Sequence, residues 1–136
     1  QNANKISKEE KRAQLREMYE MVNDAHKILV DANIPLSEFG KLLGDEWRLK
    51  RGLGKQISTN SIDTIYMRGI KAGALGGKLL GAGGGGFLLF YVEPELQESV
   101  LSELKELVYV PFKMENNGSQ IIHYTAEVFE EESKKW

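Results

Sequence analysis

The sequence has no cysteine among its 136 residues. Disulfides and thiolate metal sites are therefore excluded, and a cytoplasmic setting is expected. No apolar run approaches the ~20 residues needed to span a bilayer, so no membrane segment is expected. Charge of one sign is also missing: 18 Lys and Arg stand against 20 Asp and Glu, for a formal net charge of -2. A general nucleic-acid footprint needs clustered positive charge, so no nucleic-acid partner is expected. There are only three prolines, and no internal repeat or linker divides the chain. One domain is expected over residues 1–136. The first residues, Gln1 to Asn4, carry neither an initiator Met nor a signal-peptide pattern. The expectation is that sequence was removed upstream, and with it some of the chemistry.

What the chain has is a change of period. Apolar residues Leu15, Met18, Val22, Ala25 and Leu29 recur at helical spacing, which predicts an amphipathic helix over 8–31. Asn33-Ile34-Pro35 ends it, and Ser37 is a candidate cap for a second helix over 37–51. Its stripe is Phe39, Leu42, Leu43 and Trp47. Ser58, Thr59 and Asn60 offer caps for a third helix over 61–72. A short strand follows at 78–80, then a strongly apolar one at 87–92. Glu93-Pro94-Glu95 opens a fourth helix whose stripe is Leu96, Val100, Leu101, Leu104 and Leu107. Strands are expected over 108–114 and 120–124, on either side of the turn Asn116-Asn117-Gly118. This order predicts an α+β domain: a ferredoxin-like four-stranded antiparallel sheet with helices on one face and two additional N-terminal helices.

Between the first two strands lies the run Gly81-Ala82-Gly83-Gly84-Gly85-Gly86. A two-residue hairpin needs one or two glycines. Each Gly in place of Ala costs ~0.5–1 kcal/mol, so five cost on the order of 3–5 kcal/mol. That loss has three functional explanations. A backbone or ligand comes too close for a β-carbon, free N–H groups face an anion, or the loop must move. The plain alternative is a tight bend at the sheet edge. The run is not a Walker A loop, because no Gly-Lys-Ser or Gly-Lys-Thr follows. Gly81, Gly83 and Gly86 match a dinucleotide fingerprint in spacing, but a strand follows where that motif needs a helix.

With its flanks, the stretch Gly73-Ala74-Leu75-Gly76-Gly77-Lys78-Leu79-Leu80-Gly81-Ala82-Gly83-Gly84-Gly85-Gly86-Phe87 resembles the third conserved motif of the GHMP kinase superfamily. The wider chain, from Glu46-Trp47 through Ile57-Ser58 to Gly118-Ser119-Gln120-Ile121-Ile122, is most similar to the heptose phosphate kinases of that superfamily. The resemblance implies the C-terminal domain of a two-domain, ATP- and Mg²⁺-dependent kinase acting on a sugar phosphate. The N-terminal ATP-binding half, with its phosphate loop and most catalytic groups, is not in this sequence. The implied contribution of this chain is one wall of the sugar and phosphate site, built by Gly81, Gly83, Gly84, Gly85 and Gly86. No catalytic or metal-binding residue is expected here. The chain alone is expected to be inactive and to hold neither ATP nor Mg²⁺. Its partners would be the absent half, the substrate and, for the isolated piece, a second copy.

Other residues read more simply. Lys78 stands beside the run and is a candidate for a substrate phosphate, against the plain reading of a solvated lysine. His26 and His123 lack a second ligand at metal spacing. Glu46, Arg48, Lys50 and Arg51 read as a solvated helix face, and Ser58 and Asn60 as caps. Two other functions compete. One is an RNA-binding sheet, suggested by the aromatic residues of 86–92 but lacking the basic residue before Gly86. The other is a stand-alone regulatory module that binds a small ligand.

Overall fold

In a computed structural model, residues 7–81, 83–114, 117–121 and 123 are described. Helix α1 spans Lys8–Val30. It opens with a reciprocal cap: Ser7 Oγ accepts from Glu10 N–H, and the Glu10 carboxylate accepts from Ser7 N–H. The residues that α1 turns inward are Gln14, Met18, Met21, Ala25 and Ile28, all half-buried. The expected stripe shares only Met18 and Ala25 with this set, while Leu15, Val22 and Leu29 stay exposed. Two overlapping apolar stripes run along this helix, and contact with its neighbour selects one of them.

Helix α2 spans Ser37–Gly52, with Leu36 and not Ser37 at the capping position and no side-chain cap. Helix α3 spans Asn60–Lys71 and is capped by Thr59, whose hydroxyl accepts from Ile62 N–H at 3.2 Å. Ser58 and Asn60 do not take the capping role. Two antiparallel strands follow, β1 at Gly76–Leu80 and β2 at Phe87–Tyr91, in register from Gly76 opposite Tyr91 to Leu80 opposite Phe87. A single 3-10 turn, Pro94–Leu96, leads into α4 at Gln97–Glu103.

The core lies between α2, α3 and the hairpin. Trp47, Tyr66 and Leu79 are its centre, with Ile57, Ile62, Ile70, Leu88 and Phe90 packed around them. Burying a side chain such as Leu79 contributes about 1.5–3 kcal/mol. The Tyr66 ring stacks against Phe90 with centroids 5.8 Å apart and tilts against Trp47 at 6.3 Å. Burial pushes the Tyr66 hydroxyl's pKa up. Helix α2 meets β1 backbone to backbone: a β-carbon on Gly76 would stand 1.9 Å from the Gly40 carbonyl oxygen. This close approach fixes the height of β1, and so of the loop beyond it.

The fold is thus α+β, with four helices and a two-stranded antiparallel sheet among the described residues. Residues 108–114 were expected to form a strand, but none of them is in one. Pro111 has no N–H to give a ladder, and Val108 is 88% exposed. In the segment 120–124, residues 120, 121 and 123 are not in a strand, and the other two positions lie outside the described residues. None of the helices among the described residues is long and apolar enough to cross a membrane.

Candidate functional site

The hairpin's ladder closes at Leu80 and Phe87, leaving the glycine run as its connection. Gly81, Gly83, Gly84 and Gly86 have positive φ, from 75° to 128°. An L side chain is strained at such angles. Space restricts two of them further. A β-carbon on Gly83 would lie 2.8 Å from Ile57 Cα, and one on Gly86 would lie 2.7 Å from the Leu80 carbonyl oxygen. Gly85 is different: its φ is not positive, and a β-carbon there would meet nothing within 4 Å. Nothing within the described chain demands glycine at that position.

The loop rests on the segment between α2 and α3. Gly84 N–H donates to the Ile57 carbonyl at 3.2 Å. The Lys50 ammonium donates to the Gly81 carbonyl at 3.0 Å and to the Leu79 carbonyl at 3.4 Å. The supporting segment is fixed in turn to α3. Asp63 accepts from Ser58 Oγ at 2.5 Å and lies 2.5 Å from Arg51 Nη2. An open groove of about 870 Å³ begins at Gly85 and Gly86 and runs past Leu88 and Phe90 to Val100 and Phe112.

Lys78, on β1, turns towards α2. Its Nζ lies 2.6 Å from Glu46 Oε2, and both side chains are largely buried. The pair is an ion contact without hydrogen-bond alignment, since that oxygen has no hydrogen-bond partner among the described residues. Glu46 is therefore not the solvated acid that helix spacing suggested. Neither Lys50 nor Ile57 was marked as a loop support, because the partners of Lys50 lie 29 and 31 residues away. Among the described residues, no group of three or more His, Cys, Asp or Glu is placed to hold a metal ion.

A glycine loop between two strands, with helices packed behind it, is the arrangement found over residues 29–110, and those residues match the GHMP kinases C terminal family. The chain belongs to that family. It is 38% identical over 78 residues to a D-glycero-alpha-D-manno-heptose 7-phosphate kinase of Campylobacter jejuni, covering 54% of this chain and 23% of that protein. It is 33% identical over 94 residues to a mevalonate kinase of Thermococcus sibiricus, covering 67% of this chain and 27% of that protein. The matched stretch thus spans about a quarter of either relative's length.

Proposed function

We propose that this chain is the C-terminal domain of an ATP- and Mg²⁺-dependent kinase whose acceptor is a heptose phosphate, working in the cytoplasm. In this reading the run Gly81 to Gly86 is one wall of the acceptor site. The ATP-binding half, outside this sequence, supplies the phosphate loop, the metal ligands and the catalytic groups. The observation that carries the reading is Gly85, a residue without a β-carbon where the chain itself leaves room for one. Phosphoryl transfer depends mostly on positioning and charge stabilisation, and a bare backbone wall suits the first of these. The similarity to a heptose 7-phosphate kinase supports the choice of acceptor.

Lys78 has a part in this reading. A substrate phosphate at the loop would compete with Glu46 for its ammonium. The reading also carries a four-stranded ferredoxin-like sheet as the completed fold of this domain.

The test joins this domain to its ATP-binding half and follows ATP-dependent phosphorylation of heptose 7-phosphate. Transfer by the two-domain protein and none by the 136-residue chain alone is expected. In the same assay Lys78→Ala should raise the acceptor KM. Turnover by the chain alone, or none by the joined halves with any sugar phosphate, defeats the reading.

A further inference from the structure

A loop made of glycine has no side chains with which to hold its shape, so bonds to its backbone must do so. Two come from outside the hairpin, and both originate in one short stretch. The Ile57 carbonyl holds Gly84 N–H. The Lys50 ammonium holds the Gly81 carbonyl and, one strand residue earlier, that of Leu79. Lys50 thus spans the point where β1 ends and the loop begins. Lys50 sits in the last turn of α2, and α2 is locked to β1 by the approach of Gly76 to Gly40.

The side chain of Lys50 also differs from the other cations along α2 and from Lys78. Lys41, Arg48, Arg51 and Lys78 each pair with a carboxylate. Lys50 is half-buried, and among the described residues its hydrogen bonds go to the two backbone carbonyls. A lysine used only for solubility would extend into water. This one directs its donors to the end of β1 and the start of the loop.

We propose that Lys50 is a positioning residue for phosphoryl transfer, acting through the Gly81 carbonyl to set where the glycine wall stands. The proposal rests on the reading of the chain as a kinase domain. The wall touches the acceptor, so loosening it weakens acceptor binding and leaves ATP binding alone. Lys50→Met keeps the apolar stem and removes the donors. Lys50→Arg keeps donors and charge.

Both variants are made in the two-domain protein, with hydrogen exchange and kinetics as readouts. In Lys50→Met the Gly84 amide should exchange about tenfold faster, while peptides around Trp47 keep their protection. The acceptor KM should rise about tenfold with the ATP KM within about twofold, and Lys50→Arg should recover most of both losses. Unchanged Gly84 exchange overturns the proposal. So does faster exchange spread evenly over the domain, or an Arg variant no better than Met. A wild-type protein that transfers no phosphate defeats the kinase reading instead, and the Gly84 exchange rate then decides by itself whether Lys50 holds the loop.

Discussion

Glycines that look alike in the sequence do different work. Gly76 lets two backbones touch, Gly83 lets the loop lie on Ile57, and Gly54 has open space around it. The consequence is measurable. A β-carbon on Gly76 meets backbone atoms of a helix that cannot swing aside, so Gly76→Ala should cost roughly 3 kcal/mol or more in urea unfolding. Gly54→Ala should stay within about 0.5 kcal/mol of the parent. A mild Gly76→Ala would mean that α2 and β1 are not locked as described. At this scale the sequence was only partly legible. The excess of glycine between two apolar strands was plain from composition. Which glycines serve packing was not, because Gly40 and Gly76 are 36 positions apart and neither lies in a pattern that marks the other.

Elements were read more surely than their ends. Four helices and the first two strands are present, but α4 ends at Glu103 and of its expected stripe only Val100 is buried, while Leu96, Leu101 and Leu107 stay exposed. Caps were the weak point, since Ser58, Thr59 and Asn60 are equally plausible and only Thr59 is used. The strand expected over 108–114 is not formed, and Pro111 in its middle has no N–H to give a ladder. The elements are also tied together by charge at the surface. Arg68 on α3 bonds to Glu103 Oε1 at 2.8 Å and to the Glu106 carboxylate beyond α4. The Arg68 hydrogen bond holds the Glu106 carboxyl below its usual pKa of 4.5. The Ser7 cap does the same for Glu10 at the start of α1. A carboxyl with a folded-state pKa below its unfolded value stabilises the fold above the unfolded value. That contribution is lost as pH falls through the folded one. Stability to urea should therefore decline as pH is lowered below about 4.5. Glu106→Gln should make that decline shallower. An identical pH profile for the variant would show that the contact contributes nothing measurable, as many exposed pairs do.

For the whole molecule, family and fold agree on what kind of piece this is. The resemblance carried by 73–87 and the match over 29–110 lead to the same family. The structure adds the support behind the glycine loop: Lys50 and Ile57, steadied by Asp63. The contacts of Lys50 and Ile57 with the loop are not local in sequence, which is why spacing did not reveal them. It also separates two reasons for glycine within one run. Gly81, Gly83, Gly84 and Gly86 are required by the loop's own geometry. Among the described residues nothing requires glycine at Gly85, so the proposed acceptor wall can be tested there without disturbing the loop. The most direct measurement is therefore Gly85→Ala in the two-domain protein, with urea unfolding and kinase kinetics on the same sample. Stability within about 0.5 kcal/mol of the parent, together with a fall in kcat/KM of about tenfold or more, is the expected result. A variant that keeps full activity would contradict the glycine run as a wall of the active site.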